Sequence, residues 1–316
     1  MTRESLPVNA EQPGETGEAP PIANRDTKSG EALGRQIYLA RKGIKKKSDY
    51  QLDSVFASLM EDREDKRHLP NDLGRSSLFT TRSRKIKRQS MTREKLFHYN
   101  EEISIYFSGV ELRAEDDELI WLQILNYGKS VPLGEPFEFS IKDLIREVGW
   151  NKNGRNYERA RLCLSRLKAT EISITNTKAY GQSGAISLIS NYTSVNDESG
   201  QASDFRMWID PNLIYLFAGN TFTSHSWEIY RTLSPVARRL ADHIASHKHP
   251  YPLSLARFKG MCGSSDLSIR SWRQTVKKAC SEVMETLLAT RVNLEKKSDL
   301  ITCVRDGLPA PKNKPN

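Results

Sequence analysis

Between Leu267 and Ser281 the chain carries Arg270, Arg273, Lys277 and Lys278 and no acid. At helical spacing, Ile269, Trp272, Val276, Ala279, Cys280, Val283 and Leu287 share one face, while Arg270, Arg273 and Lys277 share the neighbouring one, with Gln274 beside them and Lys278 further round. A helix that is apolar on one side and cationic on the other suits a polyanion. Each Lys or Arg set against a phosphate releases a counterion, and a helix fits the major groove of duplex DNA. A merely solvated face would carry acids too. The segment from about Arg155 to Ala169 repeats the pattern, with Tyr157, Ala160, Cys163, Leu164 and Leu167 on the core side and Arg155, Arg159 and Arg166 opposite, flanked by Asn153, Asn156 and Arg161. Arg forks onto guanine and Asn onto adenine, but both also bind phosphate, so residue type alone assigns no base. The candidate DNA contacts are therefore Arg155, Asn156, Arg159, Arg166, Arg270, Arg273, Gln274, Lys277 and Lys278. A third cationic stretch, Arg82, Arg84, Lys85, Lys87, Arg88, Arg93 and Lys95 against the single acid Glu94, reads as a phosphate-contacting arm.

Other chemistry is poorly served. Gly128-Lys129-Ser130 ends like a phosphate-binding loop, but Gln123 stands where an upstream Gly is required, and the segment closes a helix instead of opening one. His243, His247 and His249 beside Asp242 have metal-like spacing, yet their helix is followed by Pro250 and no Glu lies between them. They read as cationic caps of a helix end. Glu115-Asp116-Asp117-Glu118 precedes a helix, where negative charge complements the dipole. No Ser/His/Asp, Cys/His or paired-His nuclease arrangement stands out, so no catalytic residue, metal or cofactor is expected. Cys163, Cys262, Cys280 and Cys303 are widely spaced and read as reduced, buried small residues.

The elements that must position these faces follow from periodicity and caps. A strand is expected at Ile103–Phe107, a helix over Leu119–Leu125 ending near Gly128, a strand at Phe137–Phe139, and a helix capped by Ser140 and stopped at Gly149. The Arg155–Ala169 helix follows, then strands at 171–175, 185–189 and 205–209, with the polar turn 176–184 as a wing. Ser234-Pro235 opens a helix, Ser254 caps a short one, Ser268 or Asp266 opens the long cationic one, and 291–294 with 300–304 form a hairpin. Helix, short helix, long helix and winged hairpin thus occur twice. The expected fold is α+β: two tandem winged helix-turn-helix domains, at 96–222 and 223–305, after a disordered N-terminal region.

The 316 residues carry a net charge of +9 and are 37% hydrophobic, with a mean hydropathy of −0.60 and a pI near 9.3. That is enough apolar material for two cores but low for a chain folded throughout. Residues 1–47, with Tyr38 as their only aromatic, and 306–316 are expected to be disordered, with 48–95 a partner-binding segment and basic linker. No run of about 18 apolar residues and no N-terminal h-region occurs, which predicts a cytoplasmic protein without a membrane span.

The stretches GVELRAEDDELIWLQIL (Gly109 to Leu125), NGRNY (Asn153 to Tyr157), CLSRLKAT (Cys163 to Thr170), LFAG (Leu216 to Gly219), LSPVARR (Leu233 to Arg239), HPYPL (His249 to Leu253) and MCGSSD (Met261 to Asp266) closely resemble the TrfA family of plasmid replication initiators. The resemblance runs from about Asn71 to Arg305. It implies a non-enzymatic, double winged-helix protein that binds repeated sites (iterons) in double-stranded origin DNA, helps open the origin and meets its single-stranded DNA. It also implies recruitment of host DnaA, the DnaB helicase and the sliding clamp, and a monomer–homodimer equilibrium. The family's clamp motif corresponds here to Gln51-Leu52-Asp53-Ser54-Val55-Phe56, in which Gln51 would anchor and Leu52, Val55 and Phe56 would fill an apolar pocket, with Ser54 inserted and Val55 in place of Leu. The alternative is a winged-helix transcriptional repressor, which needs neither the clamp-like segment nor the basic arm.

Overall fold

The computed structural model describes residues 65–305 apart from 133, 177–180, 197–199, 201, 218–221, 265–266, 287 and 296. The expected disordered segments 1–47 and 306–316 and the clamp-like stretch at Gln51 to Phe56 lie outside the described residues.

The chain is mixed α+β and builds two hydrophobic cores, one drawn from Leu69 to Tyr230 and the other from Leu233 to Cys303. The first unit runs β1 (Lys66–Pro70), α1 (Asn71–Gly74), β2 (Phe79–Thr80), β3 (Ser90–Leu96), β4 (Ile103–Val110), β5 (Leu112–Arg113), α2 (Asp117–Gly128), β6 (Phe137–Ser140), α3 (Ile141–Glu147) and α4 (Gly154–Lys168). It continues with β7 (Glu171–Asn176), β8 (Gly181–Ile186), β9 (Asn191–Asn196), β10 (Ala202–Trp208), a 3₁₀ turn at Pro211–Leu216, β11 (Phe222–Ser226) and α5 (Trp227–Tyr230). The second unit is α6 (Pro235–Ala245), β12 (Leu253–Ser254), α7 (Leu255–Met261), α8 (Ile269–Glu285), β13 (Ala289–Leu294) and β14 (Leu300–Arg305). Helix, short strand, short helix, long helix and antiparallel hairpin therefore occur as α2–β6–α3–α4–β7–β8 and again as α6–β12–α7–α8–β13–β14.

Local chemistry explains the helix boundaries. The side chains of Ser140, Asn153, Ser234, Ser254 and Ser268 each accept a hydrogen bond from the backbone N–H three residues on, satisfying a donor that the first turn leaves unpaired. Pro235 occupies the first position of α6, where a missing N–H costs nothing. Gly149, at φ +76, lets the chain turn away after α3.

Several expectations are corrected. The stretch from Lys66 to Leu96 is not a linker: β1 pairs antiparallel with β11, β2 pairs with β5, and β3 is an outer strand of the sheet β3-β4-β7-β8. Its charges hid this. Arg67 is buried because Nε and Nη2 both donate to Gln123 Oε1, at 3.0 and 2.8 Å, and β3, paired on one side only, leaves most of its side chains in water. The first core also extends past Phe222, because β11 and α5 pack into it. The strand expected at 185–189 is β8, lying earlier, and β9 was not anticipated. Ile269, placed on the core face of α8, is 49% exposed.

The two units are tied closely. Thr81 N donates to Cys262 O at 2.8 Å, and its hydroxyl lies 2.6 Å from that of Ser264. Arg257 donates to Glu101 at 2.7 Å, and Phe97 packs against the second core. Gly260 permits this approach, since a Cβ there would sit 2.7 Å from the Phe97 ring. In an unpacked helix Gly to Ala stabilises by about 0.5–1 kcal/mol. Here the clash reverses the sign, and Gly260→Ala is expected to cost about 1–3 kcal/mol in urea unfolding, with Phe97→Leu in the same chain recovering part of it.

Candidate nucleic-acid interface

Helix α8 presents the surface that its sequence suggests. Trp272, Val276, Ala279, Cys280 and Val283 are buried, and Trp272 fixes the helix against α7 by donating from its indole nitrogen to Leu255 O at 3.1 Å. Arg270, Gln274, Lys277 and Lys278 are exposed on the other side, and their side chains make no hydrogen bond or ion pair among the described residues. Arg273 does not join them as a free cation. It forks onto Asp299 in the β13–β14 turn, with Nε to Oδ1 at 2.9 Å and Nη2 to Oδ2 at 2.5 Å. This pair raises the Arg273 pKa and lowers that of Asp299, and it fixes the hairpin relative to the helix.

On α4 the expected row divides. Arg155 is exposed and unpartnered among the described residues. Asn156 is half-buried and tied into the preceding loop, its amide donating to Asn151 O at 2.8 Å. Arg159 lies over the Trp150 ring at 3.9 Å, donates to Glu115 O at 3.2 Å and places Nε 3.5 Å from Asp116. Arg166 donates from Nε to Asp117 Oδ1 at 2.9 Å. Read as DNA contacts in sequence, these two arginines are engaged inside the fold. The reason is a partner that helical periodicity does not reveal, the acidic turn ahead of α2.

That turn organises the region. Asp116 caps α2 through the backbone N–H of Asp117, as the helix-dipole reading implied, but its main partners are guanidiniums. Arg88 reaches Asp116 at 2.9 Å and Asp117 at 2.6 Å, Arg166 reaches both, and Arg84 pairs with Glu115 at 2.6 Å. On the opposite side Glu118 meets Arg239 and, at 3.5 Å, Arg238, both from α6 of the second unit. Arg239 also holds Asp242 at 2.6 Å, and His225 approaches the same carboxylate at 2.9 Å. Burial alone would raise the Asp116 pKa, but Arg88, Arg159 and Arg166 outweigh it and the net shift is downward. Asp117 moves the other way, through deeper burial and the adjacent Asp116 charge. Asp116, Asp117 and Cys163 have ligand atoms close enough to suggest a cation site. The cation present is Arg166, whose Nη2 also lies 3.1 Å from Cys163 Sγ, and burial pushes that thiol well above its ordinary pKa.

The TrfA family model, described as TrfA protein, matches residues 25–305. The plasmid replication initiator protein TrfA of Escherichia coli is 39% identical over 281 residues, covering 88% of this chain and 72% of that protein. The chain belongs to the TrfA family. It is accordingly a DNA-binding plasmid replication initiator, and its family is not a known catalytic class. Among solved structures, domains 2 and 3 of RctB align with a TM-score of 0.50 at 11% identity, covering 75% of this chain and 99% of that one. That likeness concerns the fold. A second RctB structure, of domains 2-3, aligns with a TM-score of 0.47 at 12% identity, covering 73% of this chain and 86% of that one.

In this TrfA-family chain His243 and His247, in and just after the last turn of α6, are not cationic caps, since burial lowers the pKa of both. His243 is 1% exposed, its ring lies 4.7 Å from that of His247 and 5.3 Å from Tyr99, and burial, aided by His247, lowers its pKa to about 4. The unfolded chain takes up this proton near the ordinary value of 6.5, before the folded chain does. The stabilisation is therefore complete above 6.5 and is lost as pH falls toward 4, by about 3 kcal/mol in total. His243→Asn should flatten that part of the stability–pH curve, measured by urea unfolding across the window. Asp116→Asn, which leaves three guanidiniums without their shared carboxylate, should cost about 3–5 kcal/mol at pH 7 in the same assay.

Proposed function

We propose that this initiator recognises the iterons of its plasmid origin with two winged helix-turn-helix units, promotes opening of the adjacent duplex and brings in host replication proteins. The observation that carries the reading is the exposed, acid-free row Arg270, Gln274, Lys277 and Lys278 on α8. That helix is the third of its unit and is followed by a hairpin, which is the order of a winged helix. The same element order in the first unit, with exposed Arg155 near the start of α4, supports a second, adjacent contact. Arg273 and Arg166 enter as positioning residues that aim the hairpin and the helix. Arg159 lies between the two roles, held on Trp150 yet lining the same surface.

The further partners proposed are DnaA, the DnaB helicase, the sliding clamp through Gln51, Leu52, Val55 and Phe56, and single-stranded DNA of the opened origin, with a monomer–homodimer equilibrium controlling the active form. The cell compartment proposed is the cytoplasm, on plasmid DNA. Among the described residues no helix is long and apolar enough to cross a membrane.

The test is titration of the purified chain with its own origin duplex and with a scrambled duplex of equal length, across a salt series. A preference of at least about 10³-fold is expected. Lys277→Ala and Arg155→Ala should each weaken origin binding. A base reader should lose about 1–3 kcal/mol at one position of the repeat, and a phosphate contact should weaken all sequences alike and reduce the salt slope by about 1. Equal affinity for both duplexes, disappearing together with salt, would overturn the proposal.

A further inference from the structure

We infer that the open cleft between the Arg84–Arg88 arm and helix α4 is a further DNA contact, a cradle for the sugar–phosphate backbone beside the first unit's groove-facing helix. The inference rests on the DNA-binding reading above and extends it to a surface whose arm cations lie on neither helix.

The cleft measures about 530 Å³, and seven of its eleven lining residues are Lys or Arg against the two acids Asp116 and Glu158. Arg113 is buried on Glu111, and the other six cations form two layers. The floor is Arg88, Arg159 and Arg166, three guanidiniums held on the two carboxylates of Asp116 and Asp117, so positive charge remains after internal pairing. Being anchored, these groups have little side-chain entropy left to lose on meeting a phosphate, and each side chain stays between 15% and 18% exposed. The rim is Arg84, Lys87 and Arg155, all exposed. Lys87 and Arg155 have no polar partner among the described residues, and Arg84 has one half-exposed pair with Glu115. Arg155 belongs both to this rim and to the start of α4, so the cleft continues directly into the surface proposed to face the groove.

The lining also favours a nucleic-acid backbone over an acidic protein segment. Its apolar members are Ile86 and Leu162, the latter 49% exposed on the α4 surface. Together they offer no closed pocket for the aromatic or aliphatic anchors that dominate peptide affinity. Fixed guanidiniums instead suit phosphate oxygens, which their planar fork of N–H donors binds.

The experiment uses the full chain in two measurements. All four native cysteines are buried, and burial raises the Cys280 and Cys303 thiols to about 11, so Lys87→Cys adds the one reactive thiol. Coupled to an iron–EDTA reagent and bound to the origin duplex, it should cut the backbone at a fixed position in each protected repeat. In parallel, Arg84→Ala with Lys87→Ala should raise Kd for origin and scrambled duplexes by a similar factor, about tenfold, and reduce the salt slope by about 1 to 2, with the footprint retained. Absence of localised cutting, together with unchanged affinity and slope, would overturn the cradle. Loss of RNA or acidic-peptide binding with DNA binding unchanged would overturn it in favour of that partner. If Lys277→Ala weakens origin binding while the cleft variants do not, the cradle fails and the initiator reading stands. If the unmodified chain does not prefer its origin, the initiator reading itself fails.

Discussion

Four consecutive acids cannot be placed at the start of a packed helix unless cations are brought to them, and that constraint shapes this protein. Asp116, Asp117 and Glu118 are buried and Glu115 half-buried. Taking such charges out of water costs several kcal/mol each unless they are paired and hydrogen-bonded. The partners come from three directions: Arg84 and Arg88 from the arm, Arg159 and Arg166 from α4, and Arg238 and Arg239 from the second unit. One turn therefore fixes the course of the arm, the orientation of a helix and the seat of the other unit. Removing Arg166 or Arg239 strips a fully buried carboxylate of a partner, which is a steeper loss than the worth of the pair itself, whereas Arg84 meets only the half-buried Glu115.

The same requirement sorts the cations into two kinds. Those with a carboxylate inside the fold, Arg88, Arg159, Arg166 and Arg273, give a stiff framework. Those without one, Arg155, Arg270, Lys277 and Lys278, leave exposed positive charge on α4 and α8. A DNA-binding surface gains from both, because a stiff framework holds the free cations at fixed spacing and lowers the ordering cost of contact. Arg273 with Asp299 repeats at the second hairpin, in one exposed pair, what the acidic turn does for the first unit in a buried network.

Much of the fold was legible because its causes are local. Ser140, Asn153, Ser234 with Pro235, Ser254 and Ser268 cap their helices through contacts three residues long, and the alternating apolar positions of β4 and β6 lie within a few residues of each other. The core stripe of α8 could be drawn from Trp272, Val276, Ala279, Cys280 and Val283 for the same reason. Strand β3 was hidden because an outer strand needs few apolar residues to be stable once β4 pairs with it. Strand β1 was hidden because the guanidinium that lets Arg67 be buried finds its acceptor on Gln123, more than fifty residues away.

On its own, then, the sequence determined the two cores, the repeated order of helices and hairpins, the cationic face of α8 and, through its matched blocks, the family. Tertiary structure alone decided which cations are free. Arg155 and Arg166 sit on one face of one helix and look equivalent in sequence, yet one is exposed and the other lies on Asp117, 49 positions earlier in the chain. An ion pair depends on distance in space, which falls to a few ångströms only after the chain has packed, whereas a helix cap or an apolar stripe depends on distance along the chain, which is present in the sequence from the start.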